Sequence, residues 1–402
     1  MSMAEGQQGR LAPVQFTGAR SELFGLLFRG YLLMVPTLGI YRFWVTTWKR
    51  RFYWQNTVID GDPLEYTGHA MQLLIGFLFA LAFFLPIYIV FFYLSTQSPE
   101  ITLVGYAAVG ITLWFLSGYA IYRARDFRLS RTLWRGIRFD QRGNAWGYAL
   151  RRFGWSILMV LTLGLIYPFM AGNLWRYRYS HTWYGDRQFG WTGSWKTIAG
   201  PYYRAYFVVV AALIATGAII GNVQAPLSAG PGVFFAIPGT LVVGGLAWFY
   251  LRSREATRMF SQVRVGDTTI AVKVRARSLF GQFLLYGLSL TGALVVFGMF
   301  IGIVVASLFG QAMLNPGAEG AELARILQSG WGAIALLVAG YLGLIATFAL
   351  FGEVFLGYGY WMLVARSAVI SNADSLKSVR ATGEDRALVG EGLADALNVG
   401  AY

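Results

Sequence analysis

The sequence predicts an α-helical polytopic membrane protein. It has six spanning helices, two re-entrant or interfacial helical hairpins, and small cytoplasmic β-hairpins between them. Three observations carry this prediction. Only 13% of the 402 residues are charged and mean hydropathy is +0.52, whereas soluble domains carry about 25% charged residues. Six apolar runs approach the roughly 20 residues a bilayer-crossing helix needs. The basic residues behind the net charge of +14 are segregated along the chain.

The N-terminal residues 1–14 are polar and predict a disordered start with no cleavable signal peptide. The spans are read as Ala70–Leu94, Ile101–Tyr122, Tyr203–Gly221, Val233–Leu251, Phe280–Leu308 and Trp331–Gly352. The connecting segments 95–100, 222–232 and 309–330 hold one basic residue, Arg325, beside Glu100, Glu319 and Glu322. Nearly all other Lys and Arg lie in the alternate segments, which the positive-inside rule assigns to the cytoplasm together with both termini.

Two further apolar elements share the motif Thr-Leu-Gly: "PTLGIYRFW" from Pro36 and "LTLGLIYPF" from Leu161, 125 residues apart. Basic residues flank both ends of each: Arg20 and Lys49, Arg50, Arg51 for the first, Arg151 and Arg176, Arg178 for the second. Like flanks predict entry and exit on one face, so 21–48 and 150–175 are expected to re-enter or lie on the membrane rather than cross it.

Four short segments repeat a strand–turn–strand pattern: 52–68, 128–140, 178–193 and 258–275. Each places Thr or Val (Thr57, Thr132, Thr182, Val263) shortly before a turn glycine (Gly61, Gly136, Gly185, Gly266), the signature of a β-hairpin. Asp60, Asp62, Asp186 and Asp267 fall at the turns and are read as turn chemistry rather than as a metal or acid–base site. Residues 15–375 form one membrane domain with internal repeats 15–122, 123–251 and 252–375, and 376–402 is a cytoplasmic tail. The third repeat lacks a Thr-Leu-Gly element, since "SLTGALVVFG" (289–298) continues as plain helix.

"PTLGIYRFW", "LTLGLIYPF", "WKRRFYW", "IDGDPLEYTG", "SRTLWRGIRF" and the tail "GEGLADALNVGA" together resemble the YjgN-like family of bacterial inner-membrane proteins (domain of unknown function 898), from about Phe16 to the C-terminus. The resemblance implies a bacterial inner-membrane location and no particular activity.

Candidate functional residues are few. Cysteine is absent and histidine is limited to His69 and His181, which leaves no Cys- or His-based metal site. Glu353 stands within a long apolar run, and an ionisable residue at membrane depth is costly unless it works or is paired. Arg29 and Glu22 share a helical face, and with Arg42 and Glu353 they make up the substrate-path candidates. Pro36, Gly39, Gly164 and Pro168 are helix-break candidates, because breaks expose backbone groups that lipid does not satisfy. Lys49, Arg50, Arg51, Arg176 and Arg178 are lipid-headgroup candidates. The expected partners are the bilayer and anionic lipids, with no nucleic acid; oligomeric state is not fixed by the sequence. No catalytic constellation is visible, so no enzyme, metal or cofactor is expected. Transport of a small solute or lipid leads, and a non-enzymatic membrane organiser that binds anionic lipids is the alternative.

Overall fold

The computed structural model describes residues 10–221, 231–314 and 330–382. Within them, short strands and long helices alternate in a strict order. Strands β1 (Leu11–Phe16), β2 (Thr57–Ile59), β3 (Asp62–Tyr66), β4 (Thr132–Trp134) and β5 (Ile137–Gln141) come from the first part of the chain. They are followed by β6 (Thr182–Tyr184), β7 (Arg187–Trp191), β8 (Val263–Val265), β9 (Thr268–Val272) and β10 (Ala368–Ser371). All ten pair antiparallel with their sequence neighbours, and β1 also pairs with β10, so the sheet closes into a barrel.

This closure corrects the expected fold class. The protein is not a helical membrane protein carrying separate small hairpins; the hairpins are staves of one ten-stranded barrel. The physical reason is that a two-stranded hairpin is marginal by itself and leaves open edges, which closure removes. Two staves lie outside the four expected hairpins. β1 occupies Leu11–Phe16, where a disordered segment was expected to run to residue 14; residues 1–9 lie outside the described chain. β10 follows the last membrane helix directly, with Leu11 opposite Ser371 and Pro13 opposite Val369. Alternation on β1 buries Ala12, Val14 and Phe16 and exposes the residues between them, as one wetted barrel face requires.

Tight turns join β2 to β3, β4 to β5, β6 to β7 and β8 to β9. Asp60–Gly61 and Arg135–Gly136 have positive φ at both residues, while Gly185 and Gly266 supply it in the other two. These are the mirror-image turns that suit the strand twist. Every other connection is a helical hairpin. α1 (Arg20–Met34) and α2 (Arg42–Gln55) link β1 to β2, and α3 (Ala70–Ser95) and α4 (Pro99–Ser130) link β3 to β4. α5 (Ala145–Leu161) and α6 (Tyr167–Ser180) link β5 to β6, and α7 (Lys196–Gly221) and α8 (Pro231–Phe260) link β7 to β8. α9 (Ala276–Leu314), α10 (Trp331–Phe351) and α11 (Tyr358–Ser367) link β9 to β10, with a π-helical turn at Gly352–Gly357. The alternation puts all five helical hairpins at one end of the barrel and all tight turns at the other. The five helical hairpins stand on a ring in the order short, long, short, long, long.

Six helices are long and apolar enough to cross a membrane: Ala70–Ser95, Thr102–Ser130, Lys196–Gly221, Phe234–Phe260, Ala276–Ile303 and Leu337–Ser367. The protein is a multi-pass membrane protein. The two Thr-Leu-Gly hairpins are not among the six. α1 has 15 residues and α2 has 14, about 21–22 Å of helix each against a hydrocarbon core of about 30 Å. Both arms of each such hairpin return to adjacent staves of the same barrel end. The spanning windows bury only 0–17% of their residues inside the protein, and the neighbouring long hairpins meet near the barrel, where Phe249 of α8 and Phe283 of α9 have ring centroids 4.8 Å apart.

The helical end of the barrel is tied to its staves by the recurring threonines. Thr57, Thr132 and Thr182 are buried. Each hydroxyl donates to the carbonyl four residues back, in Tyr53, Arg128 and Arg178, at 2.7, 2.7 and 2.8 Å. The bond satisfies an orphan carbonyl of the preceding helix. At the other end the lumen is filled by Trp134, Tyr184, Val265, Leu376 and Val379. The last two belong to a 3-10 turn (Ala373–Ser378) and its exit, so the expected tail begins as a barrel plug. Its backbone is locked to the β6–β7 turn, with Asp186 N donating to Arg380 O and Arg380 N to Asp186 Oδ1. The remainder of the expected tail, 383–402, lies outside the described residues, as does most of the segment holding Arg325, Glu319 and Glu322. Both ends of the described chain meet at this plugged end, where Asn372 N donates to Arg10 O at 3.1 Å.

Candidate functional site

The π-helical turn Gly352–Gly357 interrupts the last spanning helix where it nears the barrel. One extra residue in a turn bulges the backbone and re-aims its side chains. Glu353 is thereby directed at α2. Its Oε2 accepts from Lys49 Nζ at 3.0 Å and its Oε1 from Tyr53 Oη at 2.9 Å. The carboxylate is 10% exposed, so its charge is compensated within the chain, as a desolvated charge requires. Tyr53 packs on Trp361 with ring centroids 5.1 Å apart, and Trp361 Nε1 donates to Thr57 Oγ1 at 3.0 Å. The cluster is therefore anchored to the barrel mouth.

A cavity of about 490 Å³ opens beside Glu353, between α8, α9 and the last spanning helix. Its polar lining is Arg252, Gln282, Glu353 and Tyr360. Arg20 Nη2 donates to Gln282 Oε1 at 2.7 Å. The Arg252 guanidinium lies 5.0 Å from the Tyr360 ring and 3.4 Å from Glu255 Oε2, and Tyr167 Oη donates to Glu255 Oε1 at 3.0 Å. Two acids, each held by a cation and a tyrosine, line the neck between apolar helices and barrel. Such a neck gathers hydrogen-bonding and charged groups at the base of an otherwise apolar cavity.

The other substrate-path candidates are not gathered here. Glu22 and Arg29 are exposed on α1, on a different face from buried Leu23, Leu27 and Gly30. Arg42 starts α2, with its guanidinium 5.6 Å from the Phe43 ring and 5.9 Å from that of Phe77. The lipid-headgroup candidates all have partners within the chain. Lys49 holds Glu353, Arg50 donates to Tyr66 Oη at 2.9 Å, and Arg178 lies 5.3 Å from the Trp175 ring. Arg51 donates to Gly68 O at 3.2 Å and Arg176 to Gly193 O at 3.0 Å, the same tether in two copies 125 residues apart.

The helix-break candidates fall in two turns of one design. Leu38 and Gly39 have φ of 49° and 84°, and Leu163 and Gly164 have 49° and 94°. Gly39 N donates to Met34 O and Gly164 N to Met159 O, both at 2.8 Å, closing the preceding helix as a glycine C-cap does. The threonine of each motif donates back to a carbonyl (Leu33, 2.8 Å; Leu158, 2.7 Å) and accepts from a later backbone N–H (Tyr41, 3.2 Å; Ile166, 3.4 Å). The leucine has no such task and projects outward, 94% exposed at Leu38 and 82% at Leu163. Pro36 lies in the first turn, whereas Pro168 is the second residue of α6, where proline fits a helix start.

Sequence reasoning missed Tyr53, Arg252, Glu255, Gln282 and Tyr360. A usable signal was present. Each lies on a helix that runs directly into or out of a strand, within a few turns of it, where a charge need not face lipid.

Over residues 11–236 the chain matches the family described as bacterial protein of unknown function (DUF898), and it belongs to that family. The match covers both Thr-Leu-Gly hairpins and staves β1 to β7, and it ends before Arg252, Gln282 and Glu353. It is shorter than the resemblance expected, which ran to the C-terminus. No curated protein and no solved structure matches the chain.

Proposed function

We propose that this family member is a non-enzymatic, lipid-binding protein of the bacterial inner membrane, with its barrel and both termini on the cytoplasmic side. The observation that carries the reading is the ring order of the hairpins. Two short ones stand between long ones, so the apolar space among the three long hairpins opens sideways to the bilayer above each short hairpin. Among the described residues the charges of the spanning helices, such as Arg123, Arg204, Arg252 and Glu353, lie in their barrel-proximal parts, and the apolar walls beyond them suit acyl chains and not ions. A groove of about 570 Å³ between α3 and α4 illustrates the fit: Phe79, Phe83, Phe84 and Ile87 line it, and Arg123 and Trp146 stand at its base. The orientation rests on the positive-inside rule. The Thr-Leu-Gly tips, with Leu38 and Leu163 outward, are read as re-entrant floors of the two openings. A small-solute route through the barrel is disfavoured, because Trp134, Tyr184, Leu376 and Val379 fill the lumen.

The test is native mass spectrometry of protein extracted in lipid nanodiscs and released into mild detergent. Retained diacyl lipid is expected for the wild type, with fewer lipids on Ala108→Phe, which fills the α3–α4 groove. Lipid-free wild-type protein, or an unchanged lipid count on Ala108→Phe, would overturn the reading.

A further inference from the structure

We infer that Arg254, Lys273, Arg275 and Arg277 form a binding site for the phosphate headgroup of an anionic phospholipid in the leaflet that meets the barrel. The inference deepens the lipid reading above and rests on it for the source of the phosphate. The four cations line one open groove of about 890 Å³, formed by the end of α8, strand β9 and the start of α9. All four are exposed. Among the described residues no carboxylate lines the groove, and its remaining lining is Ser, Thr, Tyr and small apolar residues. α8 and α9 are both long and apolar enough to cross the membrane. Arg254 lies near the barrel end of α8, and Arg275 and Arg277 frame the first turn of α9. The groove therefore sits where a membrane surface meets the barrel, and the α9 N-terminus adds its own positive end.

The repeat supplies an internal control. Strands β4 and β5 recur as β8 and β9, and the start of α5 recurs as that of α9, each 131 residues later. In this register Arg254 and Lys273 correspond to Arg123 and Arg142. In the earlier copy both are neutralised: Arg123 is 2.7 Å from Asp126 and Arg142 is 2.9 Å from Asp140. The positions of those acids are filled by Thr257 and Ala271 in the later copy, and both line the groove. Arg275 and Arg277 replace Asn144 and Trp146. One copy thus carries cations with built-in counter-ions, and the other has lost the acids and gained two more cations. Four like charges brought together repel one another, and a lipid phosphate relieves that repulsion by charge-assisted hydrogen bonds.

The test compares nanodiscs of phosphatidylcholine alone with nanodiscs that also contain phosphatidylglycerol, reading co-released lipids by native mass spectrometry. Wild type is expected to retain phosphatidylglycerol in preference. The variant Arg254→Gln/Lys273→Gln/Arg275→Gln/Arg277→Gln should lose that preference by about tenfold or more, since each basic residue near an anionic surface contributes about 1 kcal/mol. Arg142→Gln, which lines neither groove, should keep it. An unchanged thermal midpoint in phosphatidylcholine nanodiscs shows that the fourfold variant is folded; if it falls, the single variants Lys273→Gln and Arg275→Gln take its place. Equal retention by wild type and the substituted groove overturns the inference, as does equal loss in the Arg142 control. Displacement of the bound lipid by millimolar inorganic phosphate would reassign the groove to free phosphate and also overturn it. Retention of phosphatidylcholine reports separately on the apolar space, so failure of the groove and failure of the lipid reading give different patterns.

Discussion

The two Thr-Leu-Gly hairpins have the same turn, the same arms and the same tether to a Thr-Gly carbonyl, yet they are held in opposite places. The second is pinned at its tip. Tyr202, Tyr203 and Tyr206 on α7 donate to the carbonyls of Gly164, Leu165 and Leu163 at 2.7, 3.1 and 3.0 Å. The positions 125 residues earlier on α3 are Phe77, Leu78 and Leu81, which have no hydroxyl to give. The first hairpin is instead held low on its arm, by Lys49 and Tyr53 on Glu353. Its Lys49 position corresponds to Leu174, a buried apolar residue packed with Tyr122 and Tyr148. A repeated element can therefore keep its shape while its anchorage moves from a polar tip to a polar base.

The largest test of this difference removes the base anchor. Lys49→Met leaves the Glu353 carboxylate without its cation at 10% exposure. The expected loss is about 2 kcal/mol, below the 3–5 typical of fully buried pairs because Lys49 is itself partly wetted. Glu353→Gln should cost less, since Gln still accepts from Tyr53, and the double substitution should be milder than Lys49→Met alone. Thermal unfolding in nanodiscs, with hydrogen exchange across 42–55, reads the effect. Equal loosening of 167–180 would show that the two hairpins are not separately anchored.

A smaller effect compares the turn glycines. Gly39→Ala and Gly164→Ala both put a side chain at positive φ, at about 1–2 kcal/mol each. A Cβ at Gly39 meets nothing within 4 Å, whereas at Gly164 it lies 3.2 Å from Tyr202 Oη. Gly164→Ala is expected to lower the thermal midpoint more, because it also pushes on a tip bond. The two losses become equal if the tip bonds carry no stability.

Smaller for each group changed is the exchange of tip anchors. Tyr202→Phe/Tyr203→Phe/Tyr206→Phe removes three hydrogen bonds, each worth about 0.6 kcal/mol if it lies in the apolar layer. Hydrogen exchange at 163–165 should rise towards that at 38–40. The reciprocal Phe77→Tyr/Leu78→Tyr/Leu81→Tyr should slow exchange at 38–40 if register alone separates the hairpins. Unchanged exchange in both variants would mean that the hydroxyls follow the geometry and do not impose it.

Much of this architecture is legible locally. Six apolar runs announce six helices, and a turn glycine flanked by short alternating segments, beside an Asp in three of the four copies, announces four hairpins. Thr-Leu-Gly announces a turn between two helices, whose arms the structure returns to one end of the barrel. Closure of the barrel is not local. β1 contains Pro13, β10 is four residues long, and their pairing joins Leu11 to Ser371 across almost the whole chain. The site divides in the same way. Glu353 is visible as an acid in an apolar run, but its partners Lys49 and Tyr53 are 304 and 300 residues away. Arg252, Glu255 and Tyr360 sit where membrane helix becomes barrel support, and nothing in a hydropathy pattern marks that boundary.

The smallest expected effect is a control at the far end of the barrel. Asp374 has its carboxyl pKa lowered, first by the hydrogen bond from Lys377 and then by that residue's charge and Arg10, with Lys377 Nζ at 2.6 Å and Arg10 at 3.8 Å. A carboxyl lowered in the folded state adds stability that is present above its ordinary unfolded value of about 3.9 and is lost as pH falls through the folded value. The plug formed by Leu376 and Val379 should therefore loosen slightly below about pH 4, and Asp374→Asn should remove that part of the acid response. Hydrogen exchange of 373–380 against pH gives the measurement. Because the plug lies at the end of the barrel away from both hairpins, the exchange difference between 38–40 and 163–165 should survive the acid step. If acid erases that difference while the plug stays closed, the two tips differ through a titrating group near the membrane and not through three tyrosine hydroxyls.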